Sequence, residues 1–382
     1  MPSRRYFPGL NAIRAYAALC VLVGHTVWNP AILFGEPLIA PWLDTFVLNG
    51  GTAVTLFFVL SGFLITHLLL EEKRATGTIS IRNFQIRRVL RIHPLYYAAL
   101  FGVFIVMPLL YGERYHWPTT EPLSLILVFG FMANVLSTLV PTQLFLLAPF
   151  WTLAVEEQFY LLWSPLMKCI RRPLNLMFGV IVVRWSFTLL LELSLLPITD
   201  PALVQNLLTL LYMTRIDCMA VGGIAAYFVF TNRMQLAFHN VVWYGALFIF
   251  GVGVMLPIED TQLNQFLYAL AFAALIVNVA CNPKRGQLRA FLERPVFLAL
   301  GNMSYSIYMI HSFIIYIMWQ TLRGTDLPTP VYEAVMHISV YIITLTLAYA
   351  SYRWFETPFL RLKHRFTAEP VQKTARPATV GD

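Results

Sequence analysis

A chain of 382 residues that is 58% hydrophobic and only 12% charged, with a mean hydropathy of +0.66, is no ordinary soluble domain, which carries about twice that charged fraction. The formal net charge of +8 would suit a nucleic-acid binder, but the basic residues sit in short segments between apolar stretches, so no nucleic-acid partner is expected. Four cysteines (Cys20, Cys169, Cys218, Cys281) show neither CxxC nor metal-ligand spacing, which speaks against a disulfide framework or a zinc site.

A helix needs roughly 20 apolar residues to cross a hydrocarbon core about 30 Å thick. Such stretches recur near 10–29, 50–70, 92–111, 148–167, 174–197, 206–230, 240–257, 265–281, 296–320 and 333–356. The expected fold is therefore all-α: a polytopic integral membrane bundle of about ten transmembrane helices in one domain, residues 1–365, with a disordered tail at 366–382.

The first stretch has no small-residue cleavage site and holds Arg14 and His25, so it reads as a retained span. Eleven residues apart, these two share a helix face and lie roughly 16 Å apart along the axis. Ionisable groups at such depth are costly and point to function, although a snorkelling arginine and a hydrogen-bonded histidine would account for them equally well. In the second stretch, Phe57-Phe58-Val59-Leu60-Ser61-Gly62-Phe63 places a small Ser-Gly pair mid-span, where close helix packing is the ordinary role. Before the third comes Arg87-Arg88-Val89-Leu90-Arg91, whose Arg88 and Arg91 are side by side on a helix. Binding of anionic lipid and a phosphate-binding fork both fit that spacing.

The apolar piece at 123–140 is read as re-entrant or peripheral, ending at Pro141-Thr142-Gln143. A full crossing there would put Lys168, Arg171 and Arg172 outside. Trp151 to Tyr160 follows, with adjacent Glu156 and Glu157 about 100° apart on a helix, and with Glu156 and Tyr160 on one face. A structural ion pair of one glutamate with Arg14, Arg184, Arg215 or Arg353 is the plain alternative. Arg215-Ile216-Asp217 suggests pairing with other helices. Ser304, Tyr308 and His311 form a polar face at helical spacing, and Tyr352 to Pro358 closes the last span. No nucleophile elbow, P-loop, zinc helix or dinucleotide fingerprint is present. No internal repeat stands out either, which weakens a transporter of repeated halves.

Taken together and in this order, these motifs resemble the acyltransferase 3 family of membrane-bound acyltransferases, from about Tyr6 to Arg361. Arg14-x10-His25 is similar to its first-helix signature, Phe57–Phe63 to its FFxxSGF segment, and Arg88-x-x-Arg91 to its basic element. Trp151–Tyr160 is similar to its WSLxxExxFY block, with Thr152 in place of Ser. The resemblance implies acyl-CoA, usually acetyl-CoA, as co-substrate with no metal. It further implies a carbohydrate or glycolipid acceptor, membrane lipids around the bundle, and polysaccharide-synthesis proteins as candidate partners. A bacterial plasma (inner) membrane is the implied location. Many relatives carry a C-terminal hydrolase-like domain, and this chain is expected to be a stand-alone form without it.

Joined to the geometry, the resemblance assigns catalytic roles to His25, Glu156 and Arg14 and donor binding to Arg88, Arg91 and Ser61. CoA phosphates would sit at Arg88 and Arg91, and the pantetheine arm would pass Arg14. His25 would act as general base, oriented by Glu156. The alternatives are a macrolide or small-molecule O-acyltransferase, a transporter or flippase of an acylated or saccharide intermediate, and a structural membrane subunit.

With both termini cytoplasmic, the short cytoplasmic segments hold 21 of the 27 lysines and arginines, and the opposite loops hold Arg114 and Arg323 alone. A cysteine placed at Arg171, in a variant lacking the native cysteines, is expected to resist impermeant maleimide added outside intact cells. Labelling there would invert the topology.

Overall fold

The computed structural model describes residues 6–34, 49–112, 115, 121–139, 145–255 and 261–366. Among these every regular element is helical. Local chemistry sets many of the ends. α1 (Leu10–Phe34) starts behind Gly9, at φ +84°, whose N–H donates to the carboxylate of Glu293. Asn49 N-caps α2 (Gly50–Thr76), accepting from the Thr52 N–H at 2.8 Å. Gly77 ends that helix at φ +77°, behind Lys73 and Arg74 in its negative last turn.

α3 (Ile81–Phe101) begins eleven residues before the expected span, so the Arg87–Arg91 segment is helical rather than a loop. It runs on through a π-helical turn (Gly102–Val106) into α4 (Met107–Tyr111). α5 (Pro122–Phe129) and α6 (Ala133–Leu139) reverse at Phe131, with φ +58°. At about 1.5 Å per residue neither is long enough to cross, in keeping with the re-entrant or peripheral reading of this piece. The expected end of the piece, Pro141–Gln143, lies outside the described residues.

The rest of the bundle comprises α7 (Phe150–Cys169), α8 (Pro173–Glu192), α9 (Pro201–Thr214), α10 (Ile216–Phe230), α11 (Asn240–Met255) and α12 (Gln262–Cys281). After the short α13 (Gly286–Leu292) come α14 (Pro295–Asn302), α15 (Ser304–Leu322), α16 (Thr329–Ala350) and α17 (Thr357–Leu362). The single span expected at 206–230 is interrupted at Arg215, whose φ of +41° separates α9 from α10. The span expected at 296–320 bends by 65° between α14 and α15.

Seven described helical segments are long and apolar enough to cross a membrane, and the bent α14–α15 pair would make eight. Ten were expected. The difference lies in α7, which is 20 residues long but carries Glu156, Glu157 and Gln158, and in α11, with only 16 described residues. The chain is thus a multi-pass helical membrane protein. The remainder of the tail expected to be disordered, 367–382, lies outside the described residues.

Within the bundle α2 is buried on nearly all sides, whereas α8 and α16 turn Val182, Val183, Ile338 and Ile342 outward. The closest crossing is that of α2 on α10. A Cβ on Gly62 would stand 2.0 Å from the Met219 carbonyl oxygen, and one on Gly222 would stand 2.1 Å from that of Val59. Overpacking against backbone is destabilising by about 1–3 kcal/mol or more. Gly62→Ala should therefore lower the melting temperature in detergent, while Gly179→Ala, which meets nothing within 4 Å, should leave it unchanged or raise it slightly. Equal melting of the two variants would refute the tight crossing.

Candidate active site

α1 and α2 lie antiparallel. His25 Nε2 faces Gly50, where an added Cβ would come within 3.9 Å of it, and Arg14 shares a cavity with Ser61. The cavity follows α2 from Val54 to Ile65 and encloses about 790 Å³, its open mouth included. Arg14, Arg88 and Arg91 converge on it from α1 and α3. Glu156 and Tyr160 from α7 and Ser61 from α2 line it as well, and Val54, Phe57, Thr152 and Tyr308 lie toward the His25 end of α2. Of the six site residues expected from the sequence, Arg14, Ser61, Arg88, Arg91 and Glu156 line this cavity and His25 is not among its lining residues.

At its centre the Glu156 carboxylate accepts from Ser61 Oγ at 2.6 Å and from the Tyr160 hydroxyl at 3.0 Å. Arg88 lies over the rings of Phe84 and Tyr160, 5.5 Å from each centroid, and its buried Nε has no hydrogen-bond partner among the described residues. None of the three cavity arginines makes an ion pair with the described residues. Their neighbours do. Arg87 is buried against Glu72 at 2.9 Å and the Phe366 carbonyl, and Arg184 lies 3.7 Å from Asp217. Arg215 instead donates to the Gly51 carbonyl at 2.6 Å and to Thr55 Oγ1 at 2.8 Å.

Glu157 takes the other direction, toward His93 of α3 at 3.4 Å. Of the adjacent acids it is Glu156 that faces the cavity.

One expected contact is corrected. Glu156 does not orient His25, because Ser61, which holds Glu156, and Gly50, which borders His25, are eleven residues or about 16 Å apart along α2. The partner of His25 is His311 of α15, with Nδ1 and Nε2 2.7 Å apart. The sequence offered His311 only as part of a polar face with Ser304 and Tyr308. Tyr308, hydrogen-bonded to Thr152 at 2.8 Å, lies one turn before His311, with ring centroids 5.8 Å apart.

A multi-pass bundle with an arginine-rich cavity inside its helices, one end of it toward the His25–His311 pair, has room for a small molecule between its helices. Residues 7–353 match the model of the Acyl_transf_3 acyltransferase domain, and the chain belongs to this acyltransferase 3 family. It is 27% identical over 404 residues to the O-acetyltransferase OatA of Staphylococcus aureus (strain MRSA252), covering all of this chain and 62% of that protein. The OatA of strain NCTC 8325 is 27% identical over 381 residues, covering 94% and 58%. The chain thus spans about three fifths of the length of these relatives. No solved structure matches it.

Glu156→Gln is expected to slow acyl transfer at least about tenfold, since a hydrogen bond to a charged group is worth roughly 1.5–3 kcal/mol. Glu157→Gln should slow it less. Initial rates of the two purified proteins decide this, and the opposite ranking would move the working carboxylate to the His93 side.

Proposed function

We propose that the chain is a membrane O-acetyltransferase that carries an acetyl group from cytosolic acyl-CoA to a hydroxyl of a surface polysaccharide or exported glycan. The observation that carries this reading is the convergence of Arg14, Arg88 and Arg91 on one cavity with no carboxylate oxygen within ion-pair distance among the described residues. Three guanidinium groups around the single cavity carboxylate Glu156 leave an excess of positive charge, which suits the phosphates of a nucleotide-bearing donor, engaged through paired hydrogen bonds. The two relatives named O-acetyltransferase favour acetyl as the group and oxygen as its acceptor.

In this reading the phosphates rest at Arg88 and Arg91, at the cytosolic mouth of a bundle in a bacterial plasma membrane with both termini inside. The pantetheine arm runs past Arg14, Ser61 and Glu156 toward Val54 and Tyr308. Glu156 braces the hydroxyls of Ser61 and Tyr160 on the wall the arm follows. Gly50 lies one turn, or about 6 Å, before Val54, so the thioester end approaches His25. His25 takes the proton of the acceptor hydroxyl as its oxygen attacks the thioester carbon. The carbon–sulfur bond breaks, and that proton leaves with CoA as the thiol.

The test is a donor titration on purified protein in detergent at fixed acceptor. Replacing Arg88 and Arg91 together by Gln should raise KM for acetyl-CoA at least about tenfold, as two charge-assisted contacts of roughly 1.5–3 kcal/mol are lost. Turnover at saturating donor should suffer less. An unchanged KM in a monodisperse double variant removes the two arginines from the donor site. No acetyl-CoA-dependent transfer by the unaltered protein overturns the reading and favours transport instead.

A further inference from the structure

We infer that His311 is a positioning residue that fixes the tautomer of His25, so that His25 Nε2 presents its lone pair to the acceptor hydroxyl. The inference rests on the acetyl-transfer reading above, but the geometry behind it stands apart from the donor cavity.

His311 is fully buried on α15, and its Nδ1 lies 3.2 Å from the Ile307 carbonyl oxygen one turn earlier. A carbonyl oxygen only accepts, so Nδ1 of neutral His311 carries the proton and its Nε2 keeps a lone pair. That Nε2 is 2.7 Å from His25 Nδ1. Two lone pairs cannot face each other at that distance, so His25 Nδ1 must be the donor, and the lone pair of neutral His25 falls on Nε2.

Ring geometry supports a hydrogen bond rather than a face-to-face stack. The centroids are 4.9 Å apart and the planes are inclined by 22°. A short nitrogen–nitrogen contact plus the radii of two imidazoles accounts for that separation. The rings therefore meet edge to edge in nearly one plane, where the nitrogen lone pair points.

His25 Nε2 faces Gly50, which has no side chain, and His25 is only partly buried whereas His311 is fully so. When Nε2 takes the acceptor proton, the imidazolium keeps its Nδ1–H in the bond to neutral His311. His311 thus holds the ring in place and stabilises the cation without itself reaching the substrate. A carboxylate does the same in a Ser-His-Asp triad, where setting the wrong tautomer costs on the order of 10⁴ in turnover. A neutral imidazole supplies the acceptor here without burying a further charge.

Three variants and one spectrum test this. His311→Phe keeps a ring but removes the acceptor, and should lower kcat about a hundredfold or more while KM for acetyl-CoA stays within about twofold. His311→Gln keeps an acceptor oxygen and should recover at least about a tenth of the wild-type kcat. Nitrogen NMR of protein labelled at its eight histidines, with His25 assigned by its loss in His25→Asn, should find His25 protonated at Nδ1 and bare at Nε2. Size-exclusion profiles screen each variant for folding.

Wild-type kcat in a monodisperse His311→Phe protein, or a His25 protonated at Nε2, overturns the inference. A His311→Gln protein as slow as His311→Phe also counts against it. If the unaltered protein transfers no acetyl group, the functional reading fails, while the spectrum still decides the tautomer in the same sample.

Discussion

Around α2, the bundle is governed by how near two backbones can come. With no side chain at Gly62 or Gly222, α2 and α10 pack main chain against main chain, to the exclusion of any Cβ. Apolar chains gain nothing from leaving lipid for protein, so close contact of this kind is what makes helices associate there. The crossing also decides what Ser61 does. Adjacent helix positions point about 100° apart, so once Gly62 is pressed on α10, Ser61 is turned toward α7 and meets Glu156. The Ser-Gly pair is both a packing device and one wall of the site, one residue for each task.

The second organising constraint is the cost of unmatched charge in an apolar interior. Most of the buried ionisable groups meet that cost locally. Arg87 has Glu72, Asp217 has Arg184 and the Trp185 indole N–H, and Glu356 accepts from Ser306 and Ser351. Lys73 donates to three carbonyls at the end of α7, where a helix offers unsatisfied oxygens. Against that background Arg14, Arg88 and Arg91 stand out. Among the described residues no carboxylate comes within ion-pair distance of them, and Glu156 alone of the acids lines their cavity.

Much of this was legible in the sequence because it depends on one helix at a time. The shared face of Arg14 and His25, the adjacency of Arg88 and Arg91, and the pairing of Glu156 with Tyr160 all follow from helical periodicity. What could not be read is whatever depends on the register between helices. Periodicity says that Glu156 and Tyr160 lie together but not that Ser61 joins them, and the expectation that Glu156 orients His25 failed because nothing in a single helix sets α15 against α1. The interruption at Arg215 was hidden for another reason. An arginine carries no local signal for left-handed backbone, and its conformation is held by bonds to Gly51 and Thr55 on a distant helix. Similarly, the count of ten spans took every apolar run as equivalent, though α7 owes its place to its partners as much as to its hydrophobicity.

α1 is fastened at both ends. Its start is held where Gly301 presses on the Asn11 carbonyl and Glu293 binds Gly9, and its far part is held where His25 meets His311. A straight helix pinned at two points behaves as a gauge block. The interval from Arg14 to His25 can change only in steps of about 1.5 Å, each with a rotation of about 100°. A single inserted residue would swing the imidazole away from both His311 and Gly50, and two or three would not bring it back into line. Point substitution can therefore tune the surroundings of the reaction gradually, whereas the reach from charged anchor to imidazole can be altered only by whole turns.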